Sequence, residues 1–416
     1  MGKFARVLAM KSIKELGQEL RDIAVDPAGV SIMSQKGIHY VVKVKNVPVV
    51  AANIIKQDML ARGGEVATAK GAITHAIAET DIIVMGTQNQ FTSLLEKIKR
   101  QQFGLRDIAE QIRGALQGYD GVPSPLKVGK QEWVFGKKTF IMGILNMTPD
   151  SFSDGGKFSD TPSALSHARQ MVEDGADIID VGGESTRPGA ADVSSEEEIA
   201  RVVPVIQELK NLRYSLSIDT RKAAVAEAAL KAGAVMINDI SALRADPEMA
   251  KVAAKYQVPV VLMHMQGSPQ TMQRDPRYRD LISEIMEYLW ESIEAAKRAG
   301  IAERDIIIDP GIGFGKSTEH NLKLLDNLRE FKSLGRAIMV GPSRKSFIGN
   351  ITGLPVEERV EGTAAAVALA IANGADIVRV HDAAAMSRVA RIADGISKKI
   401  ENRWTNNLAF ATIPRR

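Results

Sequence analysis

Between residues 138 and 382 the sequence repeats one unit eight times: a short apolar run that stops in small or polar residues, then a segment long enough for a helix. The runs are Phe140–Asn146, Ile178–Gly182, Leu216–Asp219, Val235–Asp239, Val260–His264, Ile306–Asp309, Ile338–Gly341 and Ile377–His381. Helical spacing fills intervals such as Ser163–Asp174, Glu196–Leu209, Ala223–Lys231 and Glu361–Ala372. Apolar runs without alternation suit strands covered on both faces, as in a parallel sheet. Eight strand–helix units in roughly 260 residues is the size of a (β/α)8 barrel. A doubly wound open sheet is the alternative. The count of eight, and the lack of a Gly-x-Gly-x-x-Gly opening, favour the TIM barrel.

The chain has 416 residues, enough for a second domain. Strand-like runs at Phe4–Met10, His39–Lys45, Pro48–Ala52 and Asp81–Gly86, with helical spacing over Phe91–Arg100 and Leu105–Leu116, predict a small α+β domain over residues 1–130. Its end, Gln117–Lys130, has the Gly/Pro-rich composition of a linker. The barrel is expected over 131–405, and a C-terminal tail over 406–416. Residues 1–130 carry 18 Lys and Arg against 12 Asp and Glu, a bias too mild to predict a nucleic-acid partner. No run reaches the length of a membrane helix, and Met1–Met10 has no apolar core of a secretory leader. There is no cysteine, which excludes disulfides, thiolate metal sites and a cysteine nucleophile and suits a cytoplasmic location.

Polar residues cluster where the eight runs stop: Asn146, Asp180 with Glu184, Asp219, Asn238, His264, Asp309, Ser343, and Arg379 with His381. In a barrel these positions meet at the C-terminal rim, where catalytic residues sit. One polar strand end is usually a cap or turn residue; eight in succession are hard to explain so. Asn146 is either a turn residue or an amide ligand that holds Mg²⁺ together with substrate phosphates. The loop Thr148–Gly156 after it has the composition of a mobile loop. Arg187, beside Ser185 and Thr186, can clamp a phosphate through its planar fork, or simply decorate the surface. Asp219, Asn238 and Asp309 form a carboxylate–amide–carboxylate set that matches the guanidine-like edge of a pterin. Asp219 has a competing role as a helix cap. Lys345, Arg379 and His381 follow the seventh and eighth runs, where many barrels hold a phosphate. Phe314 either lines a pocket or belongs to a small satellite core. His264 reads more as scaffold than as catalyst. No Gly-x-Ser-x-Gly elbow, His-x-x-x-His pair or P-loop spacing is present.

The motifs GILNMTPDSFSDGG, DVGGESTRPGA, SIDTRK, NDIS, LMHMQGSP, DPGIGFGKS, GPSRKSFIG and RVHD, in that order from Phe140 to about Lys398, resemble the dihydropteroate synthase family. The resemblance implies condensation of 6-hydroxymethyl-7,8-dihydropterin pyrophosphate with p-aminobenzoate, with Mg²⁺ as cofactor and a homodimer through barrel helices. It assigns Asp219, Asn238, Met263, Asp309 and Lys345 to the pterin, and Asn146 to Mg²⁺. It gives pyrophosphate to Thr186, Arg379 and His381, with Arg187 beside them. Phe152, Pro188, Phe314 and Ser346 would line the p-aminobenzoate pocket, which sulfonamides occupy in this family. Asp219, Lys345 and Asp154 are the expected catalytic residues. The implied mechanism is SN1-like and needs no protein nucleophile. A methyltetrahydrofolate-dependent methyltransferase would share the pterin set but not the pyrophosphate clamp in SRKSFIG and RVHD. A non-catalytic pterin-binding protein would be expected to lose rim groups. Residues 1–130 match no activity and are read as accessory.

Overall fold

The computed structural model describes residues 4–10, 12–147, 161–185, 192–211 and 214–397. The chain divides into two compact units, Met1–Asp120 and Gly121–Arg416.

The first unit contains, in order, α1 (Ile13–Asp22), α2 (Pro27–Ser34), β1 (His39–Pro48), α3 (Val49–Leu60), β2 (Glu65–Thr68), β3 (Glu79–Thr87), α4 (Gln88–Ile98) and α5 (Leu105–Asp120). The strands form an antiparallel sheet in the order β1-β3-β2. One core joins Val44, Val66, Ile82 and Val84 of the sheet to Ile55, Met59, Phe91, Leu94 and Ile112 of the helices. This is the expected α+β region, with two local differences. Pro48–Ala52, read as a strand, closes β1 and then opens α3. Val49, Ala52, Ile55 and Met59 recur at three- and four-residue spacing and are buried, and that helical face outweighs the β-branched preference of Val49 and Val50. Phe4–Met10 joins no regular element and is largely exposed.

The second unit opens with a hairpin, β4 (Leu126–Val128) and β5 (Gln131–Trp133). Alternating strands and helices follow: β6 (Phe140–Asn146), α6 (Thr161–Glu173), β7 (Ile178–Gly182), α7 (Ser195–Asn211), β8 (Leu216–Asp219), α8 (Ala223–Ala232), β9 (Met236–Asp239), α9 (Met249–Tyr256), β10 (Val260–Met263), α10 (Leu281–Arg298), β11 (Ile306–Asp309), α11 (Thr318–Asp326), β12 (Ala337–Val340), α12 (Ser346–Thr352), α13 (Val360–Ala372), β13 (Ile377–Val380) and α14 (Ala383–Ser397). Strands β6 to β13 close into a barrel, each parallel to both neighbours. Among the described residues no helix is long and apolar enough to cross a membrane.

The runs that look uniformly apolar do alternate, because both faces are covered by different partners. Ile141, Leu145, Ile179, Val181, Ile218, Ile237, Leu262, Ile308, Val340 and Val378 point outward into the layer of helices. The inward positions change character along the barrel axis. At the N-terminal end they are apolar: Phe140, Met142, Ile178, Met236, Val261, Ile307, Met339 and Ile377. At the C-terminal end they are Asn146, Asp180, Asp219, Asn238, Asp309 and Arg379.

The stretch that reads as a linker is therefore part helix and part plug. Gln117–Asp120 ends α5, and the hairpin seats Leu126, Val128 and Trp133 against the apolar inward residues. Trp133 stacks on Phe140 with ring centroids 4.2 Å apart and planes 8° from parallel. Gly and Pro here serve the tight turns, not flexibility: Gly129 at the hairpin tip has φ +58°. Trp133 is fully buried. Trp133→Ala is expected to lower the unfolding free energy by about 3–5 kcal/mol, measured as a fall in the urea midpoint at unchanged m; a loss near zero would mean that the hairpin does not seal the barrel.

Candidate active site

Ladder register builds the site from four adjacent strand ends. Asn146 pairs with Gly182, Gly182 with Asp219, and Asp219 with Asn238. On the other side Met263 of β10 pairs with Asp309 of β11. Gly182 matters because it adds no side chain to this ring. A Cβ there would lie 3.7 Å from both Asn146 Oδ1 and Asp219 Oδ2, so the two oxygens face one open spot.

Arg379, on β13, reaches across the barrel. Its Nε donates to Asp180 Oδ2 at 2.7 Å and its Nη2 donates to Asp219 Oδ2 at 2.6 Å. Asn238 Nδ2 donates to the same Asp180 oxygen at 2.9 Å. Asp180 is the hub of this network and is fully buried. Asp180 Oδ1 and Asn238 Oδ1 are buried acceptors with no protein partner among the described residues. Asp309 is buried too, and its Oδ1 accepts from the Gly311 amide at 2.7 Å.

The electrostatics follow from burying like and unlike charges together. Burial pushes the Asp219 carboxyl up to about 7; Arg379 opposes the shift, and Asp180 and Glu198 add to it. Burial likewise raises Asp309 to about 6, against the Gly311 hydrogen bond and the Lys316 charge. Burial lowers the Lys345 ammonium to about 8, with Arg379 contributing and Asp309 and Asp219 opposing. Burial works against the Arg379 charge, but Asp219 and Asp180 outweigh it and hold its pKa above the usual value. Ser343 Oγ lies 2.9 Å from His381 Nδ1 and accepts from the His381 amide at 3.2 Å. Burial first, and then Arg379, push His381 down to about 3. A neutral ring whose Nδ1 accepts the Ser343 hydroxyl proton carries its own proton on Nε2, as a donor.

Phe314 and Met263 meet in a small apolar cluster with Ile240 and Met272. The Lys345 ammonium sits 3.9 Å from the centroid of the Phe314 ring, a cation–π contact. Gly313, at φ +82°, lies so close to the Lys345 stem that a Cβ would come within 2.8 Å of Lys345 Cδ. Ser346 is exposed at the first turn of α12. His264 is held as scaffold: its ring packs edge-on against Tyr288, and its Nδ1 lies 3.0 Å from Lys316 Nζ.

The structure thus gathers Asn146, Asp219, Asn238, Met263, Asp309, Phe314, Lys345, Ser346, Arg379 and His381 at the C-terminal mouth. Phe152, Asp154, Thr186, Arg187 and Pro188, with the expected mobile loops, lie outside the described residues. Sequence reasoning placed Asp180 at the rim without a specific role and gave Lys316 none. The signal for Asp180 was a carboxylate two residues before Gly182, on the same face of an otherwise apolar run. Lys316 gave no comparable signal, since a lysine after a glycine-rich loop is ordinarily solvated. No group of three or more His, Cys, Asp or Glu suited to a metal occurs among the described residues.

A carboxyl raised in the folded state favours folding below its unfolded pKa and withdraws that stability as pH rises through the folded value. For Asp219 the window runs from about 4 to about 7. The stability of Asp219→Asn relative to the parent is therefore expected to grow across this range and level off above it. Urea unfolding of both proteins at several pH values measures this; a pH-independent difference would contradict the raised pKa.

Residues 142–381 match the family model described as "Pterin binding enzyme". The dihydropteroate synthase of Synechocystis sp. is 51% identical over 279 residues, covering 67% of this chain and 96% of that protein. The solved Yersinia pestis dihydropteroate synthase, in a sulfonamide drug complex, superposes with a TM-score of 0.63 at 44% identity, over 66% of this chain and 99% of that one. A probable bifunctional folylpolyglutamate synthase/dihydropteroate synthase of Halobacterium salinarum is 42% identical over 383 residues, 92% of this chain and 46% of that protein. That span is longer than the barrel unit, so the likeness extends into the first unit. A barrel with this polar mouth, matched over nearly the whole length of such relatives, belongs to the pterin-binding enzyme family, among its dihydropteroate synthases.

Proposed function

We propose that the C-terminal mouth joins 6-hydroxymethyl-7,8-dihydropterin pyrophosphate to p-aminobenzoate through the residues gathered there. The observation that carries this assignment is the set of buried Asp180, Asn238 and Asp309 with half-buried Asp219 around Arg379. Each buried acceptor without a partner costs about 1–3 kcal/mol. A ligand edge rich in N–H donors offsets that cost at Asp180 Oδ1 and Asn238 Oδ1, and a pterin offers such an edge. Met263 and Phe314 supply apolar contact to the flat ring.

The reaction then needs charge placement more than covalent catalysis. The bond between the pterin methylene carbon and the pyrophosphate oxygen breaks, and its electron pair leaves with pyrophosphate. Lys345 and Arg379 supply positive charge to the leaving group, and His381 a neutral donor. Thr186 and Arg187 would complete this clamp. Positive charge left on the methylene delocalises into the ring beside the Asp219 carboxylate. The amine nitrogen of p-aminobenzoate attacks, a C–N bond forms, and the amine loses a proton. Asp154 would act with Asp219 and Lys345. Phe152, Pro188, Phe314 and Ser346 would line the p-aminobenzoate pocket.

The residues fit Mg²⁺. Asn146 would hold the ion: its amide oxygen faces the spot above Gly182, while the Asp219 oxygen beside that spot already accepts from Arg379. Mg²⁺ in phosphate enzymes takes few protein ligands and fills its shell with water and phosphate oxygens. Bound there, the ion would neutralise charge on the departing pyrophosphate.

Purified protein given both substrates and Mg²⁺ is expected to release pyrophosphate and form dihydropteroate, and a sulfonamide is expected to suppress both. Binding of the pterin without product would overturn the assignment. Asp219→Asn is expected to lower kcat by about 100-fold or more, and near-normal turnover would remove Asp219 from its role.

A homodimer is part of the same reading. Its support is the exposed Leu369 of α13 with Ile392 and Ile396 of α14, on helices that pack against each other. Such an apolar patch commonly marks an interface. Ile392→Asp combined with Ile396→Asp is expected to convert a dimer into a monomer by light scattering; an unchanged mass would place the interface elsewhere.

A further inference from the structure

Lys316 is the one lysine among the described residues that is almost fully buried, 3% exposed, yet it forms no ion pair. Its Nζ donates to the Phe314 carbonyl at 2.8 Å, lies 3.0 Å from His264 Nδ1, and approaches the His264 carbonyl at 3.5 Å. His264 is kept neutral by burial and by the Lys316 charge, so its Nδ1 can accept. Three acceptors thus meet the three N–H bonds of one ammonium. Burial pushes this amine down to about 7, with the Asp309 charge opposing, and placing any such polar group in the interior is costly unless it is hydrogen-bonded. The arrangement therefore calls for a reason beyond filling space, since an apolar side chain would fill it at lower cost.

The reason lies in what the tripod joins. His264 follows β10, and Phe314 sits in the loop that follows β11. That loop forms only one backbone turn of its own, the Phe314 amide donating to the Gly311 carbonyl at 3.1 Å, and contains three glycines at positive φ. It is pinned residue by residue: the Gly313 amide donates to Asn321 Oδ1, Gln273 Nε2 donates to the Gly313 carbonyl, and Tyr278 donates to the Gly315 carbonyl. The Phe314 carbonyl is pinned by Lys316. Gly311 presses so tightly on the His264 carbonyl that any Cβ there would collide with it. The orientation of the Phe314 peptide fixes where its ring stands, and that ring carries the Lys345 ammonium on its face.

We propose that Lys316 is a positioning residue for the reaction. It ties the Phe314 peptide to the end of the neighbouring strand and so sets the Phe314 ring on the p-aminobenzoate side of the site. This rests on the assignment of Phe314 above. Lys316 acts through Phe314 and touches no substrate.

Steady-state kinetics on the full chain, with pterin pyrophosphate binding measured separately, tests this. If the wild type forms no dihydropteroate, the functional assignment itself fails, before Lys316 is at issue. With an active wild type, Lys316→Met is expected to raise KM for p-aminobenzoate about tenfold and leave the pterin Kd within about twofold. Lys316→Gln, whose amide can still donate to the Phe314 carbonyl, is expected to recover most of the loss. In a Phe314→Leu background the Lys316→Met effect is expected to shrink to about twofold or less, because the ring it positions is gone. Additive effects of the two substitutions, an unchanged KM in Lys316→Met, or a pterin Kd that rises in parallel would each overturn the proposal. Should Lys316→Met fail to fold, Lys316→Ala takes its place in the same cycle: an unchanged KM or an additive rise in KM overturns the proposal, and a KM rise that vanishes in the Phe314→Leu background supports it.

Discussion

The guanidinium of Arg379 stands between Asp180 and Asp219, and this placement makes the polar end of the barrel possible. Carboxylates this close repel one another and resist leaving water. A planar cation with several fixed donors can meet two of them at once, as the 2.7 and 2.6 Å contacts record. A lysine could not, because one ammonium on a flexible stem cannot present two donors in opposite directions with the same economy. Asn238 then satisfies a further lone pair of Asp180, and the strand register sets Asn238 beside Asp219. The charges are nearly balanced before any ligand arrives, so the network keeps its shape and still leaves acceptors unmet.

The barrel divides its work along its axis. Its N-terminal half is an ordinary core, filled by methionine, isoleucine and valine and capped by the Trp133 hairpin. Each such side chain fully buried contributes roughly 1.5–3 kcal/mol. That apolar half, with the outer layer of helices, offsets what the ionised half costs. The loops are fixed in the same spirit. Arg221 bonds both Glu184 and Asp192, and Lys222 bonds Glu198 and the Val193 carbonyl, so the chain on either side of 186–191 is tied to the strand that carries Asp219.

Much of this was legible in the sequence, and the physics says why. Eight apolar runs with polar ends gave both the barrel and the end that bears the chemistry, because strand ends are forced to one rim. Asp219, Asn238 and Asp309 were readable since a carboxylate or amide closing a buried run needs a partner. What could not be read depends on contacts across the barrel. Asp180 was readable as a rim carboxylate but its partner was not, since only closure brings β13 to β6 and Arg379 to the Asp180 carboxylate. Lys316 looks like a solvated lysine until the Gly311–Gly315 loop folds over it. Gln117–Lys130 has a linker's composition, yet its Leu126 and Val128 pack into the floor of the barrel. Val49 and Val50 favour a strand locally, and the spacing of Ala52, Ile55 and Met59 overrules them.

The hairpin beneath the barrel has one more consequence. With the floor closed by Trp133 stacked on Phe140, the barrel is a blind vessel with a single opening. Two ligands stacked at such a mouth, as the proposed substrates would be, would bind in order of depth: a sealed floor turns spatial depth into temporal order, the deeper ligand first in and last out.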